Sequence, residues 1–331
     1  MIPLIHKQEL MVMSKSVLEA QAFQDEHAAY AWVEARVWPE GPICPHCGGT
    51  DRIGKLQGKS TRVGVYKCYQ CRKPFTVKVG TVFEDSHVPM RFWLQAMHLL
   101  CSSKKGISSN QLHRTLGVTL KTAWFMSHRL REAMRVVGVG PLGGAGKIVE
   151  ADETLMGKVE GAPKKLHTGG SQNRNIVLTL VERGGAARSF RIDGMAIRDF
   201  MPIIRANVAK ETRMNTDEGK HYNDLGKEFA GHDTVNHSEE EYARKTNVHH
   251  FPSGECYIVT TNTVEGYYSI FKRGMKGIYQ HCSEKHLHRY LAEYDFRYSN
   301  RIRLGIDDVQ RTEIAIKGIV GKRLTYRTAG H

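Results

Sequence analysis

Residues 147–152 read KIVEAD, residues 176–181 read IVLTLV and residues 212–217 read TRMNTD. Short apolar, β-branched runs of this kind predict strands with a buried face. The first is expected to end at Asp152 and the third at Asp217. Around them, Arg188–Ile192 predicts another strand. Residues 196–208 predict a helix with Ile197, Phe200, Ile203 and Ile204 inward. Residues 222–230 predict a helix, 234–236 a brief strand and 264–275 a further helix. Three early strands, a helix and then strand–helix units predict a mixed sheet with helices around it.

Side chains at strand ends converge at the edge of an open sheet, which is where Asp152 and Asp217 are expected. Glu265 opens the predicted 264–275 helix, and Lys272 lies two turns further along the same face. Two strand-end aspartates and a helical glutamate can hold two hard divalent cations through oxygen. A metal pair can activate a water or a 3′ hydroxyl and stabilise the leaving oxygen of a phosphodiester. Lys272 can contact a DNA phosphate. Glu150 and Glu153 flank Asp152, and Glu218 follows Asp217. Spacing alone does not choose among them.

Upstream, Cys44-Pro-His-Cys47 and Cys68-Tyr-Gln-Cys71 form two pairs, with twenty residues between Cys47 and Cys68. Residues 61–67 and 74–79 are expected to pair as strands. This spacing predicts a zinc ribbon with one tetrahedral zinc. Four thiolates leave no open position, so that zinc is structural. His46 is expected to face solvent. Cys101, Cys256 and Cys282 have no cysteine partner nearby and are expected as apolar core residues.

Between these regions the periodicity is helical. Phe92, Trp93, Ala96, Met97, Leu99 and Leu100 share one face, Ser108 and Thr119 are placed to cap, and Gly117 interrupts. The last helix, 120–134, carries Lys121, Arg129 and Arg131. Short helices with a glycine turn before a basic helix suggest a helix-turn-helix whose basic residues meet DNA. Residues 141–146 (PLGGAG) read as a linker. The segments expected are a helical stretch over 17–40, the ribbon over 41–85, the helix-turn-helix over 86–140, the catalytic domain over 146–301 and a tail over 302–331.

Composition agrees with such a partner. The net charge is +14 over 331 residues, with a hydrophobic fraction of 40%. A surplus of that size favours a polyanion. The first sixteen residues lack a continuous apolar core, and no later run is long and apolar enough to span a bilayer, so a cytoplasmic protein without membrane association is expected.

The segments VEADET (149–154), NTDEGKHY (215–222), VNHS (235–238) and the block 261–301, TNTVEGYYSIFKRGMKGIYQHCSEKHLHRYLAEYDFRYSNR, closely resemble DDE transposases of bacterial insertion sequences. So do residues 38–49 and 66–89. The best match is the group with an N-terminal zinc ribbon, insertion-sequence family fifteen ninety-five (the ISXO-two-like group). The resemblance implies an RNase H-like catalytic fold, giving a multidomain α+β chain: zinc ribbon and helix-turn-helix, then a mixed-sheet α/β domain. It implies Mg²⁺ or Mn²⁺ as the catalytic metal. It also implies cleavage at the inverted repeats of an element, strand transfer into target DNA, and a homo-oligomer on DNA. By position the triad is Asp152, Asp217 and Glu265, followed by Lys272. Asn236 and His237 fall in the VNH motif as secondary active-site candidates. Glu218 stands where many relatives have glycine. Two rival readings are a DNA-binding regulator without catalysis and a nuclease on the same fold that cuts without joining.

Overall fold

A computed structural model describes residues 16–161, 173–219, 222, 224–246 and 257–325. The chain forms two compact units. Among the described residues the first comprises 16–76 and 87–95, and the second comprises 77–86 and 96–325.

In the first unit, helix α1 (Glu26–Val37) starts where Asp25 accepts a hydrogen bond from the Ala28 amide. Strands β1 (Ile53–Lys55), β2 (Tyr66–Cys68) and β3 (Pro74–Phe75) form an antiparallel sheet in that order. Trp38, Tyr66 and Phe75 pack ring against ring, giving this small unit an aromatic core. Glu34 ties the helix to the sheet by accepting from Lys55 and the Tyr66 hydroxyl. The expected strand over 74–79 stops at Phe75, because Val77, Val82 and Phe83 are buried within the second unit instead.

Helix α2 (Met90–Ser102) begins where Glu26 accepts from the Met90 and Arg91 amides. Helix α3 (Ser109–Leu116), Gly117 in the left-handed region and helix α4 (Leu120–Met134) follow. Ser108 and Thr119 cap the two helices as their positions predict.

The main sheet has five strands: β4 (Ile148–Met156), β5 (Asn175–Glu182), β6 (Ala187–Ile192), β7 (Arg213–Asp217) and β8 (Gly231–Val235). Their order is β6-β5-β4-β7-β8, antiparallel from β6 to β4 and parallel from β4 to β8. That mixed order is consistent with the RNase H-like arrangement. Helix α5 (Ile197–Asn207) covers one face, where Phe200, Met201 and Ile204 meet Val149, Ala151, Leu178 and Leu180. A two-stranded pair, β9 (Ala243–Lys245) with β10 (Ile258–Thr260), precedes helix α6 (Asn262–Gly274). Helix α7 (Glu284–Ser299) follows, and α6 and α7 cover the other face through Tyr267, Phe271, Leu291 and Tyr294 over Val177 and Val181.

Several expectations change. Strand β4 continues four residues past Asp152 because β5 pairs with it as far as Met156. The helix expected over 222–230 is a single 3-10 turn, Leu225–Lys227, among the described residues. The glycine-rich stretch 141–146 is no free linker. Leu142 is buried, its amide donates to Asn207 and its carbonyl accepts from Ala209, while Gly143 and Gly144 donate to Glu182 and Thr212. The segment expected as a tail holds helix α8 (Asp308–Lys317), with Ile316 and Ile319 fully buried and Arg311 bonded to the Cys101 and Asn300 carbonyls. No helix among the described residues is long and apolar enough to cross a membrane.

Candidate active site and metal centre

Cys44, Cys47, Cys68 and Cys71 bring four sulfurs within 4.8 Å of one another. Cys44 and Cys71 stand 3.6 Å apart, and Cys47 and Cys68 3.7 Å. A tetrahedron of sulfurs about 2.3 Å from one ion has edges of about 3.8 Å, so the set fits a single zinc. The knuckles are local turns: Gly48 donates to the Cys44 carbonyl, Cys44 donates to Gly49, and Gly48 sits at φ +74°. Backbone amides of Cys71 and Gln70 pull the Cys68 thiol down, while its neighbour Cys47 is pushed up, as sulfurs this close cannot all carry charge without a cation between them. His46 is exposed and outside the ligand set. Cys101 is buried as expected, Cys282 is half-buried, and Cys256 lies outside the described residues.

Sheet register puts two of the candidate carboxylates, Asp152 and Asp217, on adjacent strands. Strands β4 and β7 run parallel, with Ile148 beside Arg213 and Glu150 beside Asn215. Pairing stops there, and continuing the same register brings Asp152 level with Asp217. Asp217 is the last residue of β7. Alternation puts Asp152 on the face covered by α6, opposite to the Val149 and Ala151 face that meets α5. Burial raises the Asp152 carboxyl to about 7, and the nearby charges of Glu153, Asp217 and Glu265 push the same way. Negative charge is therefore concentrated where all ligand atoms are oxygen, an arrangement that a hard divalent cation would relieve.

Hydrogen bonds orient the three acids. Asp152 accepts from the Glu153 amide, Asp217 from the Gly219 amide and Glu265 from the Thr261 hydroxyl. Glu265, Tyr268 and Lys272 form one stripe on α6. The Tyr268 hydroxyl donates to the Asp152 carbonyl at 2.6 Å, and Lys272 lies over its ring at 5.6 Å. The stripe thus runs from Glu265 across the Asp152 backbone to Lys272.

The neighbouring glutamates separate by contact. Glu150 is fully buried and accepts from Arg183, from the Thr263 hydroxyl and from the Thr263 and Val264 amides. It thereby joins the first turn of α6 to β4, two residues from Asp152. Glu153 turns to the α5 face and accepts from the Tyr222 hydroxyl. Glu218 accepts from Ser238, which links the TDE and VNHS segments. Asn236 uses its side-chain oxygen on the Ser238 and Glu239 amides, and the side chain of His237 lies outside the described set. The role of Glu150 escaped the reading of the residues. A lone carboxylate inside the apolar run IVEA was the available signal, since a buried charge must find partners.

Helix α4 requires a correction. Arg129 and Arg131 face inward. Arg131 is 1% exposed, paired with Glu293 at 2.6 Å and sandwiched against Tyr290 and Tyr279. Arg129 donates to the carbonyls of Glu84 and Leu324 and covers Phe125. Packing against α7 consumes the Arg131 guanidinium, and the Glu84 and Leu324 carbonyls consume that of Arg129, so neither faces DNA. His128 is buried beside them, its ring packed at a tilt against Trp124 and His286. What α4 exposes is its first turn: Leu120, Lys121 and Trp124.

The family comparisons divide along the same lines. A model of the ISXO2-like transposase domain matches residues 141–299, and a model of a transposase zinc-ribbon domain matches residues 24–74. One relative, described as an uncharacterized protein in transposable element ISH50 of Halobacterium salinarum, is 24% identical over 298 residues. That match covers 85% of this chain and 93% of the relative.

Proposed function

Because the chain belongs to the ISXO2-like transposases, with the transposase zinc-ribbon domain at its N-terminal side, we propose that it cuts DNA at insertion-sequence ends and joins the freed strand to target DNA. The observation that supports this reading is the β4–β7 register, which pairs Glu150 with Asn215 and, extended by two residues, would bring Asp152 level with Asp217 on the side toward α6.

Asp152, Asp217 and Glu265 would hold divalent metal, Mg²⁺ or Mn²⁺. When bound, it supplies Lewis acidity to the attacking and leaving oxygens of a phosphodiester. The chain's own groups set the geometry. Glu150 pins the first turn of α6 to β4 and so holds Glu265 at Asp152. Tyr268 holds the Asp152 backbone from the same helix. Lys272 places a positive charge one further turn along, where it can bind a DNA phosphate beside the cut. The Cys₄ set holds one structural zinc and keeps the ribbon folded.

DNA ends are read by the ribbon and by the exposed first turn of α4. The N-terminal residues of a recognition helix are those that meet base edges, and here that turn carries Lys121. Arg129 and Arg131 have no part in it.

The test is a cleavage and strand-transfer assay on end DNA with Mg²⁺. Asp152→Ala or Glu265→Ala should lose about 4 kcal/mol of transition-state stabilisation, about a thousandfold in both steps, while DNA binding persists. Glu153→Ala is the control and should keep cleavage. Full activity in Asp152→Ala would remove this triad from consideration.

A further inference from the structure

A cavity of about 760 Å³ in the second unit is walled by helices α6, α7 and α8, by residues 102–104 and by residues 301–303. Six cations line it, Lys104, Arg183, Arg297, Arg301, Arg303 and Arg311, against one carboxylate, Asp308. An anion is the ligand such a lining selects.

The cations are not equivalent. Arg183 is committed to Glu150 and to the carbonyls of Ile258 and Thr260. Arg311 is committed to Asp308 and to the Cys101, Asn300 and Ile306 carbonyls. Arg297 differs. It is 7% exposed, and one terminal nitrogen pairs with Glu293. Its Nε and Nη2 are buried without a hydrogen-bond partner among the described residues. Glu293 is already neutralised by Arg131, so two guanidinium groups share one carboxylate and a positive charge is left over. Nε and Nη2 lie on one edge of the guanidinium, the edge that grips a phosphate or carboxylate with two parallel N–H bonds. Buried donors left unmade are rare in folded chains and ask for a ligand.

We infer that this cavity grips a backbone phosphate of the DNA strand that passes Glu265, with Arg297 as the buried clamp and Lys104 and Arg303 as its exposed rim. The inference rests on the DNA-processing reading above. Thr263 and Gly266 line the cavity from one flank of α6 while Glu265 stands on the other, with exposed Gly266 on the ridge between them, and nothing stands within 4 Å of the space a Gly266 side chain would fill. A strand lying across α6 at Glu265 therefore has room to set a phosphate into the cavity. A backbone phosphate, unlike a small free anion, also meets the rim cations along the strand.

The experiment uses the full zinc-loaded chain with Mg²⁺ and Mn²⁺ omitted and no chelator, so that the ribbon stays folded while no chemistry occurs, with a short duplex carrying the DNA end that flanks the gene. Phosphates are replaced one at a time by uncharged methylphosphonate. At one position near the cut, the replacement should weaken wild-type binding about tenfold and leave Arg297→Lys unchanged, because the variant keeps the charge toward Glu293 but loses the forked edge. Equal penalties in the two proteins at every position would overturn the inference. If Arg297→Lys fails to keep the wild-type melting temperature, Lys104→Gln with Arg303→Gln decides by the same comparison. Its binding should also lose about 1 to 2 from the slope of log affinity against log salt. These outcomes stand apart from whether Asp152, Asp217 and Glu265 cleave DNA. A wild-type chain that binds no DNA at all would overturn both readings.

Discussion

The two candidate metal sites are built in opposite ways. The thiolates come from two tight knuckles, each held by its own backbone turn, and four sulfurs already lie within reach of one ion. The carboxylates come from β4, β7 and α6, separated by long stretches of chain. Among the described residues they do not form a cluster as tight as the cysteines. What holds them in register is a parallel strand pair and one buried glutamate, Glu150, acting at the start of α6. A local site carries its geometry with it. A site assembled from distant segments depends on the packing of the whole unit around it.

That contrast can be broken most directly at the ribbon. Cys68→Ser should release zinc and unfold the first unit, since apparent zinc binding worth about 10 kcal/mol or more is folding energy in so small a domain. Metal analysis should find one zinc per wild-type chain and none in the variant. The second unit should keep its own melting transition, and loss of both transitions together would show that the ribbon is not a local site at all. The next largest effect belongs to the assembled site. Glu150→Gln leaves Arg183 without its carboxylate and the first turn of α6 without its anchor. It should cost about 3 kcal/mol in denaturant unfolding and should lower strand cleavage more than DNA binding.

Acid should distinguish the units as well. His128 is buried against α7, neither ring nitrogen has a hydrogen-bond partner among the described residues, and burial with Arg131, His286, Arg289 and His288 nearby holds its pKa down at about 2. An unfolded histidine titrates near 6.5, so below that pH the unfolded chain binds a proton that the native chain refuses. Stability contributed by the neutral ring is full above about 6.5 and is lost as pH falls, by about 2 kcal/mol at pH 5. His128→Phe should flatten this slope in thermal melts of the second unit. An unchanged slope would place the acid sensitivity elsewhere. The smallest effect is expected at the exposed end of the same helix. Lys121→Gln should leave the melting temperature alone and reduce the salt dependence of DNA binding by about one phosphate contact. Arg131→Gln should do the reverse, destabilising the fold because Glu293 then loses one of its two partners.

Helix α4 shows where reading the residues succeeded and where it stopped. Its limits, its Thr119 cap and the Gly117 break were legible, because each depends on residues within one turn. Its exposed face was not. Arg129 and Arg131 look like surface charge in one dimension, and only the acceptors from residues 84, 324 and 293 show that they are interior. The glycine-rich 141–146 stretch misled for the same reason: its composition describes a flexible chain, while its partners at 182, 207 and 212 lock it in place.

By itself, the sequence determined the cysteine knuckles, the helix caps, the strand runs and the candidate acids, since these follow from neighbours a few residues apart. Tertiary structure alone decided which glutamate is an anchor and which arginines are buried. Those questions turn on burial and on partners more than 100 residues away, as between Glu150 and Thr263. Desolvation then makes each buried charge depend on a specific partner, and no local pattern encodes that partner.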